Sequence, residues 1–300
     1  MRIHKHASEL GRWRTVQRNA HPQLRAFVRG YLASSSVLPK AVREWRLPSL
    51  EVPLFLNFGA AHRQLGTAES QEWVSHDGIW VVGLHERHQL SEAFGERNYM
   101  IVRFTPLGAH HFLGIPMHLL TGHAIELEAL DPKLTRLIMS RVGVARSWSD
   151  RFAAMEALIA ERIAHAIVPG GLVWAWSKLE AADGRIVLES LLPDIGCSHR
   201  VFIARCRTRI GLTPKKVARL FRFNHVMQLL DGLSRNLNDG PVGKPYLESR
   251  APADWRIPEP CWAGVATDCG YADQSHFIKE FRQFAGITPT EFLRRMSNAS

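Results

Sequence analysis

The sequence predicts an α+β chain: a small β-sheet domain with helices over residues 1–168, then an all-α domain over residues 169–300. The second domain is expected to hold two helix–turn–helix units joined by a linker helix. Short β-rich runs bounded by Gly, Pro and Asn fill the first third. A pattern of helix, tight turn and helix occurs twice in the second half at a fixed offset. Between the halves lies "VPGG" (Val168–Gly171), a stretch that ends helices and marks the domain boundary.

Residues 1 to 45 are basic and mixed, and "LRAFVRGYLA" is compatible with a short helix or a strand. "LPSLEVPLFLNFG" is apolar but interrupted by Pro48 and Pro53. It therefore reads as an edge strand or as two short ones, because proline donates nothing to a sheet ladder. "GIWVVGL" (Gly78–Leu84) and "NYMIVRF" (Asn98–Phe104) are short strands, and their spacing suggests a small sheet or partial barrel. A short helix is expected near Ala109–Leu113. "LEALDPKLTRLIMSRVG" reads as helix with Pro132 in its first turn. "SWSDRFAAMEALIAERIAHAI" is the clearest helix of this half. Ser149 or Asp150 is its expected cap, and Phe152, Met155, Ile159 and Ile163 its apolar stripe.

The second half opens with "VWAWSKLEAADG", a short helix ending at Gly184, with Trp174 and Trp176 as packing residues. "RIVLESLLPDIG" is the expected first helix of the first unit, although Pro193 sits awkwardly late in it. "TPKKVARLFRFNHVMQLL" is the expected linker helix, with Leu220, Phe223, Met227 and Leu230 on its apolar side. Residues 231–260 are rich in Pro, Gly, Asn and Asp and read as an exposed loop.

The duplication is specific. Phe202, Cys206, Gly211, Thr213 and Pro214 recur as Phe277, Phe281, Gly286, Thr288 and Pro289, each 75 residues on. Gly196 and Gly270 precede the two copies and suit a sharp bend, since glycine tolerates positive φ. Ser198 and Asp273 are natural N-caps. The units span about 185–211 and 262–286. Helical spacing buries Phe202, Cys206, Phe277, Phe281 and Phe284. It turns Arg200, Ala204 and Arg207, and Ser275, Lys279 and Arg282, to the opposite face. A single such helix could be a core helix with a solvated polar side; two at one offset point further.

"GVATDCGYADQSHFIKEFRQFAGITPTEF" resembles the second helix–turn–helix of AraC/XylS-family bacterial transcription regulators, and "IGCSHRVFIARCRTRIGLTPKKVARLFR" resembles the first. The resemblance implies a cytoplasmic regulator that places the second helix of each unit in a major groove of double-stranded DNA. The DNA-facing residues it implies are Ser198, Arg200, Ile203, Ala204 and Arg207 in the first unit, and Gln274, Ser275, Lys279 and Arg282 in the second. Gln274 suits adenine, and the cations suit guanine or phosphate. Ala204 and Ile203 offer only apolar contact, such as to a thymine methyl. The family pattern more often has Arg where Ala204 stands. "VRFTPLGAHHFLGIP" (Val102–Pro116) is similar to a cupin-like sensor domain found ahead of such modules. By analogy that domain takes a small-molecule effector or forms a homodimer; an activator would also meet RNA polymerase.

The formal charge of +10 suits a polyanionic partner. Its distribution says more: Ile195 to Leu230 holds eight Lys or Arg and no Asp or Glu. No secretory h-region and no membrane-length apolar run is present. Cys197, Cys206, Cys261 and Cys269 form no CxxC pair and read as reduced thiols. His85 with His88, and His110 with His111, lack metalloprotease spacing, so neither a metal nor a cofactor is expected. Three other readings stand beside the regulator. One is a cupin-like metal enzyme. Another is a DNA-repair enzyme, which would need a cysteine cluster ahead of the module. The last is a ligand-binding or interaction protein with a decayed first motif, to which Pro193, Ala204 and the 231–260 insertion would belong.

Overall fold

A computed structural model describes residues 1–8, 11–60, 62–65, 73–164, 170–235, 246–247 and 260–297. It begins with a hairpin of β1 (Arg2–Ser8) and β2 (Gly11–Asn19), followed by the long β3 (Val28–Arg46). Then come β4 (Val52–Asn57), β5 (His62–Leu65), β6 (Trp73–His76), β7 (Ile79–Val82) and β8 (Gln89–Phe104). After β8 the chain forms α1 (Pro106–Leu113), a 3₁₀ turn at Met117–Leu119, β9 (Ala124–Glu126), α2 (Leu127–Leu130), α3 (Pro132–Ile138) and α4 (Trp148–Ile163). The helical half runs through α5 (Gly170–Ala181), a 3₁₀ turn at Leu188–Leu191, α6 (Leu192–Ile195), α7 (His199–Arg209) and α8 (Pro214–Arg235). A two-residue strand, β10 (Tyr246–Leu247), precedes α9 (Trp262–Asp268), α10 (Gln274–Ala285) and α11 (Pro289–Ser297).

The strands join into one antiparallel sheet in the order β1-β2-β3-β8-β4-β7-β9, with β5 also on β8, β6 on β5 and β10 on β3. The 1–45 stretch thus resolves mainly as strands, with one 3₁₀ turn at Pro22–Leu24. The expectation of an edge strand around Pro53 is corrected: β4 lies between β8 and β7. Pro53 is tolerated there because β7 pairs only with Leu54, Phe55 and Leu56, past the proline.

Alternation sorts the sheet into two faces. On one, Leu54, Leu56, Val81, Met100, Val102 and Phe104 pack into the core that takes Phe112 of α1 and Phe152 of α4. This core runs on without a break into the helical half, through Phe223, Phe277 and Phe281. The other face carries a separate cluster of Phe55, Trp80, Val82 and Tyr99. Beside that cluster lie the buried polar residues Glu44, His62, His76, Ser91 and Arg97.

Helix boundaries follow local chemistry. Thr105 caps α1 by accepting from the Gly108 N–H. The helix expected through Pro132 is divided at Asp131, which caps α3 through the Lys133 and Leu134 amides. The cap of α4 is Ser147 rather than Ser149 or Asp150, with its Oγ on the Asp150 amide. The expected stripe of Phe152, Met155, Ile159 and Ile163 is buried. Of the proposed boundary, Val168 and Pro169 lie outside the described residues, and Gly170 and Gly171 open α5. The loop expected over 231–260 also lies outside them, apart from the end of α8, β10 and Pro260.

Candidate nucleic-acid interface

The first unit is α6 and α7. Pro193 does not interrupt a helix here: the chain runs as a 3₁₀ turn and then as the one-turn α6, with Pro193 in its first turn, where no N–H is needed. Gly196 then bends the chain at φ 66°. Ser198 Oγ accepts the Val201 N–H and starts α7. The second unit is α9 and α10. Gly270 bends at φ 73°, and Asp273 accepts the His276 N–H at 2.8 Å. The duplication read from the sequence therefore holds in the backbone, down to the left-handed glycine at each bend.

Between the units, α8 is buried on most sides. Leu220, Phe223 and Leu230 are buried as expected, with Met227 half-buried, and Val217, Phe221 and Val226 are buried too. Phe223 meets Phe281 and Phe284 of α10 at ring-centroid distances of 5.5 and 4.8 Å. On the far flank Phe221 takes the edge of Trp176 from α5 at 5.0 Å. Trp176 is thus a packing residue, and Trp174 lies partly buried against the same core.

All five residues expected in the recognition-helix cores are buried, with Phe202 and Cys206 at 1% exposure and Phe277, Phe281 and Phe284 at 0%. On the opposite faces Ser198, Arg200, Ala204 and Arg207 are exposed, as are Gln274, Ser275, Lys279 and Arg282. Ile203 is half-buried. The sequence reading passed over one residue that shapes this surface. Glu280 is the only acid in α10, and it is turned inward, 4% exposed, where Arg219 and Arg222 of α8 hold it. α7 contains no acid at all. Both outward faces therefore present cations without a carboxylate to neutralise them. The signal was available as a lone Glu among Lys279, Arg282 and the arginines of α8, but only the fold shows which way it points.

Residues 262–294 match the family described as bacterial regulatory helix-turn-helix proteins, AraC family. The chain carries an AraC-family helix–turn–helix. The match covers α9, α10 and most of α11, and α7 lies outside it. Residues 17–126 match a domain family of unknown function, DUF6597. No curated protein matches. Among solved structures, ToxT from Vibrio cholerae O395 is similar at 9% identity and a TM-score of 0.43, over 97% of this chain and 99% of that one. The same protein bound to (E)-4-(8-methylnaphthalen-1-yl)but-3-enoic acid gives 9% identity and 0.45, over 96% and 100%. An oxalate decarboxylase structure gives 15% identity and 0.24, over 34% and 27%.

The helical half is held against the sheet domain by specific contacts. Lys216 and Arg219 both pair with Glu86, at 2.5 and 3.4 Å. Thr121 Oγ1 donates to the Gly211 carbonyl at 2.8 Å. Arg295 of α11 stands over the Trp45 ring at 4.6 Å, and the edge of His88 meets that same ring at 5.1 Å.

The remaining candidate groups are engaged in packing. His85 Nδ1 meets the Gly83 carbonyl and His110 Nδ1 the Ile115 carbonyl, while His111 takes an edge contact with Phe27. Where the sheet does gather buried histidine and carboxylate, Arg97 stands between them. It donates to His62 Nδ1 at 2.8 Å and to Glu44 at 3.4 Å. A fixed guanidinium there repels a second cation. Burial pushes the Cys206 thiol up to about 12 and Cys269 to about 11, which keeps both protonated and unreactive.

No helix among the described residues is long and apolar enough to cross a membrane.

Proposed function

We propose that this chain is a sequence-specific DNA-binding transcription regulator that inserts α7 and α10 into major grooves under the influence of its sheet domain. One observation carries the reading: two helices related by a sequence repeat bury equivalent aromatic or thiol positions and expose equivalent acid-free faces. A major groove admits one α-helix, and side chains at its outward face reach base edges. Gln274, in the first turn of α10, can pair bidentately with adenine. Lys279 and Arg282 lie on the same face for guanine or phosphate. On α7, Arg200 and Arg207 take guanine or phosphate, with Ala204 and Ile203 beside them for apolar contact. Asp273 spends its carboxylate on the helix cap, and its charge excludes it from phosphate contact.

The sheet domain meets α8 and α11 directly, which gives a bound effector or a second copy of the chain a mechanical route to the DNA-binding face. The contrasting reading, a metal-dependent enzyme in the sheet, is disfavoured by the Arg97 guanidinium between His62 and Glu44.

The test is a mobility-shift assay on promoter-proximal DNA of the protein's own gene, with excess nonspecific competitor and a salt series. A shift that survives competitor and is lost in Gln274→Ala or Arg200→Ala supports specific recognition. Loss of all binding to competitor there, together with a random-sequence selection that returns no preferred site, would leave only a basic surface and defeat the reading.

A further inference from the structure

Three arginines outside the DNA-binding faces line one cavity of about 380 Å³, formed where the sheet meets the start of α4. Arg14, Ser35 and Asn98 are successive cross-strand partners on β2, β3 and β8, so their side chains leave the same face of the sheet. The opposite wall is Arg146, Ser147, Trp148 and Arg151. No carboxylate lines this cavity, and none of the three guanidiniums pairs with a described acid. The nearest acid on α4, Asp150, accepts the Ser147 hydroxyl at 2.7 Å. Glu96 lies two residues from Asn98 along β8, against the neighbouring cavity.

Arg151 is already set in place. Its guanidinium lies 3.9 Å from the Phe58 ring centroid and 4.8 Å from that of Trp148, and its Nε donates to the Ala145 carbonyl at 3.1 Å. Its terminal nitrogens have no hydrogen bond to a described residue. Burial draws its pKa below the usual arginine range, the mark of a charge held without full hydration or a counter-ion. Ser35 donates to Asn98 Oδ1 at 3.0 Å, which leaves the Asn98 amide nitrogen as a further donor. A second cavity, of about 480 Å³, shares Arg14, Ser35 and Asn98 and continues past Trp13 and Val37. Together they offer a donor-rich cationic end and a longer, partly apolar trough, the form of a small-ligand site.

We propose that this cavity binds a small organic phosphate, its dianionic head among Arg14, Arg146 and Arg151 and its body along the adjoining trough. Planar guanidinium forks match phosphate oxygens two at a time, and three of them suit a doubly charged group better than a single carboxylate. The proposal is independent of the DNA-binding reading.

The test is calorimetric titration of the full-length protein with pyrophosphate, inorganic phosphate and adenosine monophosphate, against sodium chloride of matched ionic strength. Binding of at least one of these phosphates, weakened roughly tenfold or more in Arg14→Ala/Arg146→Ala, is expected. Both residues are exposed, so this variant keeps its fold, as thermal melting will verify. Arg200→Ala/Lys279→Ala should bind as the wild type does. Three results overturn the proposal: no heat beyond that of sodium chloride, unchanged affinity in Arg14→Ala/Arg146→Ala, or loss confined to Arg200→Ala/Lys279→Ala. The last would place the anion on the recognition helices.

Discussion

Arg219 of α8 donates from Nε to Glu280 of α10 at 2.6 Å, and the carboxylate it meets is 4% exposed. The same guanidinium reaches Gln283 at 2.6 Å and Glu86 of the sheet domain at 3.4 Å. One side chain on α8 thus fixes α10 and ties it to the N-terminal half. The pair also clears the outward face of α10 of negative charge.

Arg219→Ala should therefore cost about 3 kcal/mol, because it leaves Glu280 buried with only the more distant Arg222 and His276, each at 3.9 Å. Glu280→Gln should cost less, since a neutral amide needs no counter-ion. Chemical denaturation of both variants checks the order. Equal stability of Arg219→Ala and wild type would mean that Glu280 is solvated.

Gly286 closes α10 at φ 79°, and a methyl built on it would overlap the His88 imidazole of the sheet domain. Gly286→Ala should lose roughly 2–4 kcal/mol, part from left-handed strain and part from the collision. In a His88→Ala background only the strain should remain, a coupling of about 1–2 kcal/mol by double-mutant cycle. Additive effects would show that the two halves do not touch there.

The parts of this molecule legible in the sequence are those governed by local rules. The repeat, both bends, the caps Ser198 and Asp273 and the five buried positions of α7 and α10 all follow from spacing and residue type. Glu280 did not, because its direction depends on which arginines α8 brings near, a contact between residues 61 apart in sequence. Pro53 misled for a related reason. A proline reads as an edge signal, yet β4 is internal, and only the register shows that β7 pairing starts after it. The cap of α4 shifted to Ser147 because Ser147, Ser149 and Asp150 lie within four residues and each could serve. The arginine cavity was invisible, since Arg14, Ser35 and Asn98 are neighbours only across strands.

Acid should weaken the fold through its buried histidines. His85 is held down to about 4, chiefly by burial, against an ordinary 6.5. Its folded-state pKa is depressed, so its contribution is whole above pH 6.5. It declines as pH falls from 6.5 to 4, where the unfolded chain takes a proton that the folded one refuses. The loss from this residue is at most about 3 kcal/mol. His62, pushed down by burial and by Arg46 and Arg97, acts in the same direction. His85→Asn, which can still donate to Gly83, should flatten the fall in melting temperature between pH 6.5 and 4. An unchanged slope would show that His85 is already solvated in the native state.

Phe281 and Lys279 lie two residues apart on α10 and should separate folding from binding. Phe281 is fully buried, with ring centroids of Phe223, Phe277 and Phe292 at 5.5, 5.8 and 5.6 Å. Phe281→Ala should cost roughly 3–5 kcal/mol, because the three surrounding aromatic rings cannot close around the space it leaves. Lys279 is exposed and makes no ion pair with a described residue, so Lys279→Ala should leave stability within about 0.5 kcal/mol of wild type. Its effect should appear only with DNA, as weaker binding and a salt dependence shallower by about one counter-ion. Melting and binding measured on the two variants thus test the phase of α10 directly. If Lys279→Ala melted early and Phe281→Ala did not, the helix would have to be rotated, and the DNA-facing residues assigned on both units would move with it.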